Sequence, residues 1–152
     1  MQTKQRRNVQ MEKLNAESKR IMDERFGKDN VIALATVEGE MPAVRSVNGY
    51  YEDGAFYVIT YALSNKMKQI EKDSNVAISG EWFTAHGKGE NLGYFCKEEN
   101  KDIAEKLRNA FAAWIDNGHN NFEDENTCIL RIQLTDGVLF TPDGRYEIDF
   151  TK

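Results

Sequence analysis

Between Val31 and Tyr61 the chain alternates short apolar runs with turn signals, and this spacing constrains the fold more than any other feature. Val31-Ile32-Ala33-Leu34-Ala35-Thr36-Val37 reads as a strongly apolar strand closed by a turn at Glu38-Gly39-Glu40. Residues 44–51 and 55–61 then flank Glu52-Asp53-Gly54-Ala55. Asp-Gly supplies the positive φ angles that a tight hairpin demands, so these runs are predicted to pair antiparallel. Pro42 falls just before the second run, where its missing N–H does least harm.

The same reading extends along the rest of the chain. An amphipathic helix is predicted from about Val9 to Phe26, within an N-terminal helical segment 1–28, with Leu14, Ile21, Met22 and Phe26 near helical spacing and Gly27 as its stop. Ser64 to Lys72 reads as a short helix, and Asn75 to Glu81 and Phe83 to Tyr94 as strands. A longer peripheral helix is predicted over 98–117, because Ile103, Leu107, Ala110, Phe111 and Trp114 share one face. Residues 127–134, 137–141 and 145–150 read as a closing meander with turns at Asp136-Gly137 and Pro142-Asp143-Gly144. Hairpin-linked strands with helices at the periphery predict a mainly β fold, an antiparallel barrel rather than a doubly wound sheet. No strand–GxGxxG–helix unit is present, which argues against a dinucleotide fold.

A length of 152 residues predicts one domain spanning 1–152. The net charge of −5 provides no global basic field for nucleic acid or an anionic membrane. Lys4, Arg6, Arg7, Lys13, Lys19 and Arg20 do crowd the start, and a solvated helix face accounts for them. No apolar run approaches a membrane span, and the first residues are polar where a signal peptide is apolar. Cys96 and Cys128 lie far apart and outside any CxxC spacing, which suits a reducing cytoplasm.

The residues that carry chemistry cluster around the first hairpin. Arg45 can hold two phosphate oxygens in a bidentate fork, and Lys66 adds a point charge. Ser64 stands at the start of a helix, whose N–H groups present positive potential. Residue type alone favours a helix cap and two surface cations. His86 and His119, the two histidines, have no partner at metal-ligand spacing, so no metal site is predicted. Gly87-Lys88-Gly89 reads as a strand bend rather than a phosphate loop.

The order of elements adds to this. Arg45-x-Val47 on one strand, a hairpin, Tyr57-x-x-Thr60, then Ser64-x-Lys66 with Gln69-Ile70 and Asn75-Val76 resembles the pyridoxamine 5′-phosphate oxidase-like family of FMN-binding split barrels. The resemblance covers residues 30–95, extends more loosely to 150, and around 98–117 is similar to the general stress protein-like branch. It implies a split antiparallel β-barrel holding FMN between the subunits of a homodimer. By matching positions, Arg45 and Lys66 hold the phosphate, Ser46, Val47 and Asn48 lie along the ring, and Thr60 and Tyr61 add flavin contacts. Ser64 matches the family serine, but Asn65 replaces an arginine, which implies weaker binding. Trp82 falls in the segment that reaches the ring from the partner subunit.

The resemblance also has gaps. Tyr50 stands where the oxidases place a lysine, and Arg145-Tyr146-Glu147 lacks their histidine, so a true pyridoxamine 5′-phosphate oxidase is not expected. The expected function is a cytoplasmic FMN-dependent oxidoreductase of unassigned small-molecule substrate, with no catalytic residue identified. A non-catalytic flavin-binding stress-response protein and a haem- or deazaflavin-binding split barrel are the alternatives, and haem would need His86 or His119 as axial ligand.

Overall fold

Seven antiparallel strands make one sheet that closes on itself. The structure, a computed structural model, describes residues 12–152. The strands are β1 (Asn30–Glu38), β2 (Met41–Glu52), β3 (Ala55–Tyr61), β4 (Asn75–Gly80), β5 (Phe83–Tyr94), β6 (Thr127–Thr141) and β7 (Gly144–Asp149). Their order is β3-β2-β1-β4-β5-β6-β7, and an added β3–β6 pairing closes the first six into a barrel. The expected split antiparallel barrel with peripheral helices is therefore the observed architecture. β6 closes it because its first half pairs with β3, its second half with β7, and β5 runs along its other edge.

Period-two alternation sends Ile32, Leu34 and Thr36 of β1, and Phe56 and Val58 of β3, into the interior. Two helices plug the ends. From α1 (Ala16–Phe26), Met22 and Phe26 enter the core, with the Phe26 ring 5.5 Å from Phe56 and 5.4 Å from Phe83. From α2 (Asn65–Lys72), Met67 and Ile70 enter the opposite end. The third helix, α3 (Lys101–Ala110), lies outside the barrel over Tyr57, Ile59 and Ile129, where Leu107, Phe111 and Ile115 build a second apolar cluster. Among the described residues no helix is long and apolar enough to cross a membrane.

Three expectations need correction. The first helix begins at Ala16, since Asn15 accepts from the Ser18 N–H and Ser18 Oγ accepts from the Asn15 N–H. Before it Glu12 bridges Ile148; residues 9–11 of the predicted helix, with Lys4, Arg6 and Arg7, lie outside the described residues. The predicted 98–117 helix is a 3₁₀ turn at Glu98–Asn100, then α3, then tightened turns. Phe111, Trp114 and Ile115 keep their apolar side because it reports packing, not continued helix. Asp136-Gly137 is not a turn but lies inside one long strand, paired with His86 and Ala85 just past a bulge at Thr135. Gly137 is required there by close approach, because a Cβ would lie 3.0 Å from the Phe83 ring.

Candidate functional site

Arg45 shares the inward face of β2 with Val47 and Gly49, at the barrel end plugged by α2. It stands opposite Leu34 on β1, one alternation from Thr36, which is 2% exposed. Its Nη1 donates to the Leu34 carbonyl at 3.2 Å and to Thr36 Oγ1 at 2.7 Å, and its Nη2 donates to Gln69 Oε1 at 3.0 Å. These three bonds leave Nε–H and one Nη2–H for a ligand.

Lys66 enters the same barrel end from the first turn of α2. Its Nζ donates to Thr60 Oγ1 at 2.9 Å, and Thr60 faces Cys128 across the β3–β6 ladder. Burial, with the adjacent Arg45 charge, pulls the Lys66 ammonium below its usual range, and burial pulls the Arg45 guanidinium the same way. Burial pushes the Cys128 thiol up to about 11, so it is a neutral thiol beside this cation. Among the described residues neither Arg45 nor Lys66 forms an ion pair. Two half-buried cations held together without a carboxylate form a site that favours an anion.

Ser64 completes the cluster. It occupies the N-cap of α2, yet its side chain makes no capping bond, and its Oγ is buried without a partner. A buried hydroxyl with no protein partner is one that a ligand oxygen could accept from.

The structure thus brings Arg45, Thr60, Ser64 and Lys66 together at one barrel end. The other predicted residues take no part in these hydrogen bonds. Val47 packs into the core, Ser46 is exposed on the outer face, and Tyr61 is exposed just past the end of β3's inward residues. Asn48 is held in a clasp: its Nδ2 donates to Asp29 Oδ1 at 2.9 Å while Trp114 Nε1 donates to Asp29 Oδ2 at 2.8 Å. Trp82 lies at the opposite, α1 end, in the β4–β5 turn, with φ 52° and 60% exposure. Arg25 pins that turn through the carbonyls of Glu81, Trp82 and Phe140. His86 pairs with Asp136 at 2.9 Å on the outer face, and His119 sits in the exposed loop after α3; neither joins the cluster.

Thr36 and Gln69 are the members that residue-by-residue reading left without a role. Thr36 was signalled as the polar residue in the inward series Ile32, Leu34, Thr36. Gln69 was signalled by its place one helical turn after Lys66. Among the described residues no group of three or more His, Cys, Asp and Glu side chains is placed to hold a metal.

A second feature lies on the outside of β2, β1 and β4. In one row Val44, Ala35 and Ala77 stand side by side, in the next Ser46, Ala33 and Ser79. These rows carry no charge, and Val44 and Val31 are 70% and 66% exposed.

No protein-family profile matches the chain, and no curated protein matches its sequence. Solved structures do match. A candidate pyridoxamine 5′-phosphate oxidase from Listeria innocua aligns with a TM-score of 0.60 at 12% identity, covering 80% of this chain and 94% of that one. An FAD-binding protein from Mesorhizobium loti aligns with a TM-score of 0.62 at 16% identity, covering 82% and 92%. A heme-binding protein from Mycobacterium smegmatis gives 0.62 at 15%, covering 82% of this chain and 54% of that one. At these identities the likeness shows the fold; one of these neighbours is FAD-binding and another heme-binding.

Proposed function

We propose that the chain is an FMN-binding protein of the general stress protein-like kind, a flavin-dependent oxidoreductase acting on a small molecule. The observation that carries this is the pairing of Arg45 and Lys66, both half-buried and without a carboxylate, beside the unpartnered Ser64 hydroxyl. A terminal phosphate supplies what each lacks: countercharge for the cations and an acceptor for the hydroxyl. Arg45 would hold it through Nε and Nη2, Lys66 through its ammonium, and Ser64 through Oγ, with the first N–H groups of α2 adding positive potential. Bound FMN supplies hydride or single-electron transfer. This chain's residues bind its phosphate and set its position; none of them moves a proton in the reading.

The uncharged rows on β2, β1 and β4 support a homodimer, since such a face is ordinarily covered. Ser46 and Tyr61, both exposed, remain available to the flavin of their own subunit, while Trp82, at the far end of the barrel, could reach it only from a partner. A haem reading has less support, because His86 is engaged by Asp136 and His119 lies in a distant loop. The free, separate thiols Cys96 and Cys128 suit a cytosolic protein.

The test is the visible spectrum of the purified protein, with the released chromophore weighed by mass spectrometry. A flavin spectrum releasing FMN is the expected result. A Soret band, or a colourless protein that fails to take up added FMN, would overturn it.

A further inference from the structure

Gln69 joins two groups of opposite charge and keeps them apart. Its Oε1 accepts from Arg45 Nη2 at 3.0 Å and from the Thr36 hydroxyl, while its Nε2 faces Glu38 Oε2 at 3.4 Å. The orientation of the amide is fixed by chemistry. Turned over, its NH₂ would meet the guanidinium and its oxygen would meet a carboxylate, both repulsive. The Thr36 proton is fixed too, because Thr36 Oγ1 accepts from Arg45 and must therefore donate to Gln69.

Glu38, at the end of β1, is the carboxylate that this network reaches, and one carboxamide's width separates it from Arg45. Arg45 could exchange its amide bond for an ion pair with Glu38 by a modest swing of two side chains. An Arg–carboxylate pair would close the fork through which Arg45 is expected to grip a phosphate. The neutral amide between them satisfies one donor of Arg45 without neutralising it, and it occupies the carboxylate from its other side.

We infer that Gln69 is a positioning residue that insulates Arg45 from Glu38, so that the guanidinium keeps its charge for a ligand phosphate. The inference rests on the phosphate reading above and adds a role for two residues that do not touch the ligand. Thr36, itself buried, backs it from the inside by holding Arg45 through Nη1, which leaves Nε outside this network.

The experiment titrates FMN and riboflavin into the full chain by flavin fluorescence, for wild type, Gln69→Ala, Glu38→Gln and the double variant, each checked for folding by circular dichroism. Gln69→Ala should weaken FMN at least about tenfold, the scale of a lost charged hydrogen bond, and leave riboflavin unchanged. Glu38→Gln alone should bind FMN as wild type does, and adding it to Gln69→Ala should restore most of the loss. A merely structural role for Gln69 predicts no such rescue. Gln69→Glu, which folds on the same shape, should abolish the preference for FMN over riboflavin. FMN binding that survives Gln69→Ala, or that Glu38→Gln fails to restore, would overturn the inference alone. A wild-type protein that does not prefer FMN would overturn the phosphate reading and this inference with it.

Discussion

Arg45 stands directly opposite Leu34 across the β1–β2 ladder, and its guanidinium turns back to donate to the Leu34 carbonyl at 3.2 Å. The side chain thus runs along the barrel wall toward α2 instead of projecting into solvent. Removing it should be read in the ligand more than in the fold. Arg45→Ala should weaken FMN by roughly ten- to a hundredfold, with riboflavin affected little. Arg45→Lys should fall between, because an ammonium keeps the charge and loses the fork. Equal losses for both flavins in a fluorescence titration would remove the phosphate role.

Lys66 makes a prediction about pH. Its folded pKa is lowered from 10.5 by burial and by Arg45, so between that lowered value and 10.5 the folded state binds fewer protons than the unfolded state. The contribution of Lys66 to stability is therefore fully present above 10.5 and is lost as pH falls through the lowered value. Against Lys66→Met, the wild type should gain stability with rising pH across that window, measured by urea unfolding. Saturating FMN should flatten the gain, since a bound phosphate restores the protonated ammonium. A wild-type-minus-variant difference that does not change with pH would contradict the coupling.

The Asp29 clasp predicts a purely structural effect. Asp29→Ala strands the Asn48 amide and the Trp114 indole, at a cost of about 1–3 kcal/mol. Urea unfolding should show this loss while FMN affinity stays at its wild-type value, because neither partner joins the phosphate cluster. A loss of FMN binding at unchanged stability would instead place Asn48 against the flavin.

Two glycines should respond differently to alanine. At Gly87 a Cβ would lie 2.7 Å from the Gln133 carbonyl oxygen, so strand β5 must move and the cost should be about 1–3 kcal/mol or more. At Gly39 nothing lies within 4 Å and only φ +61° is at stake, so about 1 kcal/mol is expected. Thermal melting of the two variants would show the order.

The uncharged outer rows predict the assembly. Val44→Lys replaces a side chain that is 70% exposed, so the folded chain should tolerate it. Light scattering behind size exclusion should nevertheless show wild-type dimers and variant monomers, and FMN occupancy should fall with the dimer. A variant that stays dimeric would exclude this face as the contact.

Much of the barrel was legible because its strands are bounded by local signals. Asp53-Gly54 enforces a hairpin and the alternation of Ile32, Leu34 and Thr36 sets the inward face. The cation pair was legible by matching order with a known family. What escaped depends on contacts distant in sequence. Asp136-Gly137 looks like a turn until Phe83 is seen to press against Gly137. The Asn48 amide bonds Asp29, whose other oxygen accepts from Trp114, a link that joins residues far apart in sequence. Trp82 stands at the barrel end away from Arg45, as a residue expected to reach the flavin of a partner subunit can. Gln69 was visible in sequence, but its two-sided role needs Glu38 and Arg45, which only the closed barrel places on either side of one amide.

The closing role of β6 has a consequence for how the molecule comes into being. Cys128 meets Thr60, and Gln133 meets Ala55, only after a long stretch of intervening chain has been made. A nascent chain that has emerged only as far as β5 would carry an unsealed sheet with the edges of β3 and β5 bare, the geometry that invites pairing with other chains. The wall behind Lys66 would be missing from such an intermediate, so it could not hold the anion that the finished barrel favours. Ligand capture would then come last, after sealing, and could not guide the earlier steps of folding.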